Sequence, residues 1–183
     1  MILIGITGPA GAGKDTIADY LVRTHHFEKL SWAAPMKAGL AAMGFPEPAN
    51  RDDKEKLIPG FPFSWRQAAQ RIGTEWGRGL DDELWIKLMA RKLGEMANAS
   101  TALKIVISDV RFQNEAAMLR QRGGFIIHVL NRRAELGAQA GHASELGIRF
   151  ADGDLCVDNQ FGLSELEEQV DMLYRRIKGR AAA

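Results

Sequence analysis

The sequence predicts an α/β fold of three layers, in which a central parallel sheet of five strands lies between helices. Five short apolar runs are typical of strands buried on both faces, and segments with helical spacing separate them. Polar clusters follow most of these runs directly. Because parallel sheets bind ligands at the carboxyl ends of their strands, we expect these clusters to share one cleft.

Taken in chain order, the elements alternate between strand and helix. Strands are predicted at 2–6, 30–33, 103–107, 125–130 and 155–157. Apolar side chains recur at helical spacing at 15–24, 36–43, 65–78, 85–96, 112–122 and 163–177. Residues 44–62 contain four prolines and a charged run, and they are interpreted as a surface excursion.

The turn after the first strand carries the most specific signal in the chain. Glycines there allow backbone N–H groups to curl around phosphate oxygens, and the helix that follows directs its positive N-terminus at them. Lys14 supplies a charge for the outer phosphates. The alternative is a tight glycine turn without a ligand. We predict a nucleotide-phosphate site formed by Gly8, Gly11, Ala12, Gly13, Lys14, Asp15 and Thr16.

The residue after the lysine of such a loop is usually Ser or Thr, whose hydroxyl holds Mg²⁺. Here it is Asp15, with Thr16 next. This departure leaves open which of the two contacts the metal. Asp109, at the end of a later strand, is placed where a second carboxylate would hold Mg²⁺ or its waters, with a strand-end turn as the alternative.

Composition limits the other possibilities. The 183 residues fit one domain with a core of its own. A net charge of +1 gives no general electrostatic reason to bind nucleic acid or a membrane, and no apolar stretch has the length of a membrane span. The single cysteine, Cys156, excludes an internal disulfide and is expected to be buried in a strand. With no leader pattern, the expected location is cytoplasmic.

The helix predicted from Ser64 has two unlike faces. Trp65, Ala69, Ile72 and Trp76 are predicted to face the core. The other side carries donors suited to phosphate or a base, and a solvated helix face is the alternative. Gly73 and Gly77 each cost about 1 kcal/mol against alanine within a helix, which indicates a broken helix or a close approach to the backbone. The donors are Arg66, Gln67, Gln70, Arg71, Thr74 and Arg78.

A third polar group follows the strand at 125–130. Asn131, Arg132 and Arg133 begin a segment rich in Gly and Ala, predicted as a lid over 131–150. Adjacent arginines on a lid could supply charge to a transferring phosphate, and solvent-exposed arginines are the alternative. His142 lies in this segment without a neighbouring ligand pair, which disfavours zinc.

Two basic sets therefore stand out, Lys14 with its loop and a second set that includes Lys37 and Arg71. Phosphoryl transfer needs positioning and charge neutralisation rather than a general base, because a phosphate acceptor is already largely ionised. The sequence predicts a small-molecule kinase that acts on a phosphorylated substrate.

At this point the chain resembles a known family, the bacteriophage deoxynucleoside monophosphate kinases of the P-loop kinase superfamily. The resemblance runs in order from residue 1 to about residue 178. The matching segments are Gly13-Lys14-Asp15-Thr16, Ala34-Pro35-Met36-Lys37, Gly73-Thr74-Glu75, Leu84-Trp85-Ile86-Lys87, Asp109-Val110-Arg111, Ile127-His128-Val129, 142–145 and 152–159.

The resemblance implies a P-loop NTPase fold like that of nucleoside monophosphate kinases, with an acceptor-binding segment at about 35–98 in a single domain over 1–183. It implies transfer of the ATP γ-phosphate to a dNMP with Mg²⁺, and Asp15 in place of the usual Ser or Thr. Lys14, Asp15, Arg132 and Arg133 are the expected catalytic residues, and Asn159 joins the ATP site. The expected substrate-binding residues are Lys37, Arg66, Gln70, Arg71, Thr74, Arg78, Trp85 and Arg111.

The sequence is also compatible with other functions. The Lys-Asp pair at 14–15 is shared with phosphomevalonate kinases, and a dephospho-coenzyme A kinase would share the loop. A nucleotide switch or ATPase without a small acceptor is a different class. The short stretch between Lys37 and Arg66 leaves base selectivity open, and a homodimer is possible.

Overall fold

The computed structural model describes residues 1–50, 52–100, 102–131 and 148–181. Within these residues, five parallel strands form one sheet in the order β2-β3-β1-β4-β5. The strands are β1 Ile2–Thr7, β2 Glu28–Leu30, β3 Lys104–Ile107, β4 Phe125–Leu130 and β5 Leu155–Asp158. The predicted five-stranded parallel sheet is confirmed, and β1 lies at its centre between β3 and β4.

The helices occupy the segments that separate the strands. Their bounds are α1 Lys14–His25, α2 Ala34–Ala42, α3 Trp65–Gln70, α4 Gly77–Leu80, α5 Leu84–Ala99, α6 Gln113–Gln121 and α7 Leu163–Ala181. A short 3₁₀ turn covers Asp52–Lys54, and a π-helical stretch, Arg71–Trp76, joins α3 to α4.

The described residues form two compact units, one of Met1–Ser31 with Lys92–Ala183 and the other of Trp32–Arg91. The predicted acceptor-binding segment at about 35–98 overlaps the second unit. That the whole chain acts as one kinase domain stays a prediction.

In the first unit, helices cover both faces of β1. Ile4 and Ile6 belong to a fully buried cluster with Ile17 of α1 and Leu166 of α7. On the other face, Gly5 lies so close to Leu119 of α6 that a Cβ at position 5 would be 2.5 Å from its side chain. The near-continuous apolar strand pattern reflects this burial on two sides.

The second unit has a small core around Leu40, Trp65 and Ala69. The Trp65 indole N–H donates to the Phe45 carbonyl oxygen at 3.1 Å. Phe45 also meets the ring of Phe61 edge-on, with the two centroids 5.0 Å apart. The proline-rich excursion is thus tied to the core by aromatic side chains.

Three sequence predictions differ from the structure. β2 ends at Leu30 rather than running to residue 33, because the edge strand uses the polar Glu28 and Lys29. Cys156 is exposed instead of buried, since it alternates with buried neighbours on the edge strand β5. Trp76 is 57% exposed instead of facing the core, because the π-helical stretch shifts it away from the 3.6-residue period.

Candidate functional site

The glycine-rich loop joins the end of β1 to the start of α1. Gly13 caps α1 with φ at 99°, and Gly8 has φ at 146°. A Cβ at Gly8 would lie 2.7 Å from the carbonyl oxygen of Val129. Only glycine fits this backbone path without strain. The path directs the loop into the N-terminal turn of α1, whose N–H groups have no partner within the helix.

Lys14 closes over this loop. Its Nζ donates hydrogen bonds to the carbonyl oxygens of the loop's first two residues, both at 2.7 Å. Burial lowers the pKa of Lys14 to about 8, and the positive charge of Arg111 acts in the same direction. The carboxylates of Asp15 and Asp109 oppose the shift. Lys14 is therefore within electrostatic reach of three other predicted site residues.

Asp15 is fixed through one of its two carboxylate oxygens. Its Oδ1 accepts a hydrogen bond from Ser108 Oγ at 2.8 Å and lies 2.9 Å from Lys29 Nζ. Partial burial acts to raise the pKa of Asp15, but the hydrogen bonds from Lys29 and Ser108 and the charges of Lys29 and Lys14 lower it below its usual value. The carboxylate is thus ionised at neutral pH.

Asp109 reaches the same edge of the sheet from β3. Strand β3 pairs with β1, and the Val110 N–H donates to the Ile6 carbonyl oxygen at 3.2 Å. Ser31, at the end of β2, donates its hydroxyl to Asp109 Oδ2 at 2.6 Å. The ends of three adjacent strands thereby place Asp109 and its neighbours beside the loop.

The donor set at this edge fits Mg²⁺. Asp15 and Asp109 offer carboxylate oxygens, and Thr16 is exposed in the first turn of α1. Mg²⁺ in nucleotide sites is held by one or two carboxylates together with substrate phosphates and waters. Within the described parts of the chain, no three His, Cys, Asp or Glu side chains group into a metal site that the protein alone would complete.

Asn159, which follows β5, contacts the loop directly. Its Nδ2 donates to the Ala12 carbonyl oxygen at 2.8 Å, and its own carbonyl oxygen accepts from Asn131 Nδ2 at 3.0 Å. A Cβ at Gly13 would overlap the Asn159 amide. The structure therefore brings Asn159 to the predicted ATP loop and links it to the end of β4.

The predicted acceptor cations of the second unit contact carboxylates. Lys37 Nζ lies 3.0 Å from Glu47, and Arg66 pairs with Glu55. Arg78 donates to the Asp82 carbonyl oxygen at 3.2 Å, and its side chain is only 9% exposed. Much of this positive charge is thus balanced within the unit itself.

The π-helical stretch has a specific partner in Trp85. The Trp85 indole N–H donates to the Gly73 carbonyl oxygen at 2.7 Å, and the ring packs on Gly77. Of the two predicted alternatives, the close approach to the backbone is confirmed, whereas the helix continues without a break and contains a π-helical stretch instead. Arg71 is exposed on the same stretch, while Gln70 and Thr74 are half-buried. Trp85 supports the helix that carries these donors.

Some predicted site residues lie outside the described residues. They are Arg132 and Arg133, with His142 and all of the predicted lid except 131 and 148–150. Arg111, predicted to bind substrate, belongs to the first unit beside Lys14. His128, in strand β4, has a hydrogen-bond partner within the first unit, since its Nε2 lies 2.8 Å from Asp154 Oδ2.

Sequence reasoning missed two site residues, Lys29 and Ser108. Ser108 directly precedes Asp109, so its place at the strand end was visible in the sequence. Lys29 carried no motif, and the lateral pairing of β2 with β3 brings it to the site. Glu47 and Glu55 were also missed, because their partners are distant in sequence.

Comparison with known proteins identifies the family. A sequence profile for deoxynucleotide monophosphate kinases matches residues 48–170. The chain belongs to the deoxynucleotide monophosphate kinase family. The family match begins after the glycine-rich loop, so the loop is recognised by its own sequence and geometry. The resemblance predicted from the motifs is confirmed.

Two relatives with this assignment come from viruses. A protein of Acanthamoeba polyphaga mimivirus, provisionally assigned as a deoxynucleotide monophosphate kinase, is 28% identical over 93% of this chain and 94% of its own length. The deoxynucleotide monophosphate kinase of Escherichia phage RB69 is 28% identical over 62% of this chain, but the match covers only 46% of the phage protein.

A solved structure supports the fold independently. A provisionally assigned kinase from Chloroflexus aurantiacus superposes with a TM-score of 0.54 at 16% identity, covering 96% of each chain. At this identity the similarity establishes the kinase-like fold and nothing finer. In the parts of this family member that the structure describes, no helix is long and apolar enough to cross a membrane.

Proposed function

We propose that the chain transfers the γ-phosphate of ATP to a deoxynucleoside monophosphate, giving ADP and a deoxynucleoside diphosphate. One observation carries the proposal. Lys14 lies in a phosphate-binding loop within electrostatic reach of Asp109, and these two residues follow adjacent strands. The chain that carries them is a member of this kinase family. Phosphoryl transfer needs such a cradle with acidic metal ligands beside it.

For the donor, we propose that the loop amides and the N-terminus of α1 bind the β- and γ-phosphates and that Lys14 Nζ contacts the γ-phosphate. Lys14 would then exchange two backbone carbonyl oxygens for phosphate oxygens. Asn159 would hold the loop at Ala12. The remaining proposed ATP contacts are Gly8, Gly11, Gly13, Asp15 and Thr16.

Mg²⁺ is proposed to bind with ATP. Asp15 and Asp109 would hold it or its waters, with the Thr16 hydroxyl as the alternative ligand in the first turn of α1. When bound, the metal neutralises charge on the β- and γ-phosphate oxygens. The ionised state of Asp15, supported by Ser108 and Lys29, suits this role.

The acceptor is proposed to bind through the cations of the second unit. Lys37 and Arg66 are held by Glu47 and Glu55, so an incoming phosphate would compete with these carboxylates for them. A dianionic phosphate offers more acceptor oxygens than a carboxylate, which favours the exchange. The other acceptor contacts proposed in this unit are Gln70, Arg71, Thr74 and Arg78, with Trp85 as their packing support. Arg111, of the first unit, is proposed as a further substrate contact.

In the proposed reaction, an oxygen of the acceptor phosphate attacks the γ-phosphorus. The new bond joins that oxygen to phosphorus, and the bond from the γ-phosphorus to the β,γ-bridging oxygen breaks. The electron pair leaves with ADP. Charge grows on the transferring group's equatorial oxygens and on the leaving oxygen, where Lys14 is proposed to stabilise it. Arg132 and Arg133 are proposed to add positive charge from the lid segment.

The experiment that tests the proposal measures ADP release from Mg-ATP by the purified chain, with the Lys14→Ala variant as control. The acceptors are dAMP, dGMP, dCMP, dTMP, their ribose counterparts, phosphomevalonate, dephospho-coenzyme A and none. Release that depends on a deoxynucleotide supports the proposal and reveals the base preference. Release with phosphomevalonate or dephospho-coenzyme A alone, or without any acceptor, contradicts it.

The viral relatives suggest where the reaction would take place. The enzyme is proposed to act in the cytoplasm, where ATP and nucleotides are present, and in the host cytoplasm if a phage encodes it. Binding to nucleic acid is not part of the proposal, and a homodimer remains a prediction that the mass of the purified chain in solution would test.

A further inference from the structure

We propose that Lys29 is a positioning residue that holds the Asp15 carboxylate by one oxygen and leaves the other for the metal ion of a bound metal–nucleotide complex. The inference rests on the proposed function only in that a metal–nucleotide complex binds at the loop. It concerns a residue of β2 that belongs to neither of the two basic sets.

The contacts of Lys29 converge on one side of α1. Its Nζ lies 2.9 Å from Asp15 Oδ1 and 2.8 Å from Asp19 Oδ1. In the parallel register Lys29 lies opposite Val106, so Ser108, two residues further along, faces the same side of the sheet. Ser108 Oγ donates to the same Asp15 Oδ1 at 2.8 Å. Two donors from adjacent strands therefore fix a single oxygen.

The second oxygen of Asp15 is left over. Among the described residues, none donates a hydrogen bond to Asp15 Oδ2, and the side chain is 76% exposed. A carboxylate held by one oxygen presents the other in a defined direction. In metal sites, groups that hydrogen-bond to a metal ligand fix the ligand's orientation, and their loss weakens metal binding.

Charge gives a second reason for a lysine at this position. Where a phosphate-binding loop has Ser or Thr after its lysine, the hydroxyl is neutral. Asp15 instead adds a second carboxylate, besides Asp109, within electrostatic reach of Lys14, where the phosphates of a nucleotide would bind. Lys29 neutralises this charge on the side of Asp15 that faces β2. Together, Lys29 and Asp15 have no net charge, and in this respect the pair corresponds to the neutral hydroxyl of Ser or Thr.

An ordinary surface ion pair makes a different prediction. Exposed pairs contribute at most about 1 kcal/mol to folding and nothing to ligand binding. The Lys29 side chain is 32% exposed and touches two carboxylates. If it only tied β2 to α1, its loss would change thermal stability and leave metal–nucleotide affinity unchanged. The two roles are separable by measurement.

The test measures binding of Mn²⁺·ADP to the full chain by electron paramagnetic resonance, without acceptor, alongside thermal unfolding. Lys29→Met is expected to weaken Mn²⁺·ADP binding by roughly 10- to 100-fold, the usual effect of losing a partner of a metal ligand. Its melting temperature should stay close to that of the unmodified chain. Lys29→Arg should recover part of the affinity, and Asp19→Asn, which removes only the other ion pair, should retain nearly all of it.

A double variant separates positioning from general charge. In an Asp15→Ser background the carboxylate is absent, so adding Lys29→Met should change Mn²⁺·ADP affinity by less than about twofold. Equal losses in both backgrounds would overturn the proposal, as would unchanged affinity in Lys29→Met or no Mn²⁺·ADP binding by the unmodified chain. Because no acceptor is present, the test can succeed even if transfer to a deoxynucleotide fails, and the two failures are thus distinguishable.

Discussion

Gly77 packs against the indole of Trp85, and a Cβ at position 77 would lie 2.5 Å from Trp85 Cζ2. The same indole donates its N–H to the Gly73 carbonyl oxygen. One tryptophan thus contacts the helix within its π-helical stretch, at Gly73, and directly after that stretch, at Gly77. These contacts support the helix that carries the proposed acceptor donors.

Gly77→Ala is therefore expected to destabilise the chain. The added methyl must displace the Trp85 ring, and such overpacking costs about 1–3 kcal/mol, more than the roughly 1 kcal/mol that alanine gains in a helix. Denaturant unfolding measures the change. Gly94→Ala, inside α5 with open space around the added Cβ, is the matched control and should raise stability instead. A stabilised Gly77→Ala variant would show that the contact is absent.

Asp154 is expected to make the stability of the first unit sensitive to acid. Its buried carboxylate accepts from Arg120 at 2.7 and 2.9 Å and from His128 at 2.8 Å. Burial acts to raise the pKa of Asp154, but the hydrogen bonds from Arg120, His128 and the Ala151 N–H lower it below its usual value of 3.8. The ionised form is therefore favoured by folding, and its stabilisation is present above pH 3.8 and lost as the pH falls through the lowered value.

Asp154→Asn should lower the free energy of unfolding at pH 7 by about 3 kcal/mol, at the low end for a broken buried pair because Arg120 is partly exposed. The difference from the unmodified chain should shrink as the pH drops below 3.8, where the carboxyl of the unfolded chain takes up a proton, and should be lost once the pH falls through the lowered pKa of the native carboxylate. Thermal unfolding at neutral and acidic pH measures both values. A difference that does not vary with pH would contradict the assigned charge.

Lys14→Ala is expected to lower kcat by roughly 10²–10³-fold, the scale of losing one donor to the charge of a transition state. Loss of the ammonium leaves the growing charge on the transferring phosphoryl group without its nearest cation. Steady-state kinetics with saturating ATP and acceptor measures the change. Lys178→Ala, an exposed lysine near the end of α7, is the control and should behave like the unmodified chain. A Lys14→Ala variant that retains most of its turnover would rule out the assignment.

Arg71→Ala should mainly raise the KM for the deoxynucleotide. Arg71 is exposed on the π-helical stretch and is proposed to bind the acceptor in both the ground state and the transition state. Kinetics with each substrate varied in turn separates the two sites. The KM for ATP should stay constant, and a variant in which only that constant changes would place Arg71 at the donor.

Much of the fold was predictable because its signals are local. Apolar β-branched runs predicted β3 and β4 within one residue, and the glycines before Lys14 predicted the loop between β1 and α1. The winding of the helix around Arg71–Trp76 was not predictable, since a 3.6-residue period places Trp76 in the core. The π-helical stretch contacts Trp85 of α5, and such a contact between separate helices has no local sequence signal.

The residues of the candidate site likewise divide into those with a local sequence signal and those without one. Lys14, Asp15 and Asp109 follow from motifs at strand ends, and the structure brings both carboxylates within electrostatic reach of Lys14. Lys29 could not be found in this way, because its role arises from strand pairing across 77 residues, between Lys29 and Val106. The carboxylates that hold Lys37 and Arg66 are likewise tertiary contacts without a sequence pattern.

The most direct test of the central claim follows the label from [γ-³²P]ATP in the presence of each deoxynucleoside monophosphate. The account predicts labelled deoxynucleoside diphosphate, formed in equal amount to ADP and lost in Lys14→Ala. Label released only as inorganic phosphate would contradict it and would show a nucleotide hydrolase instead.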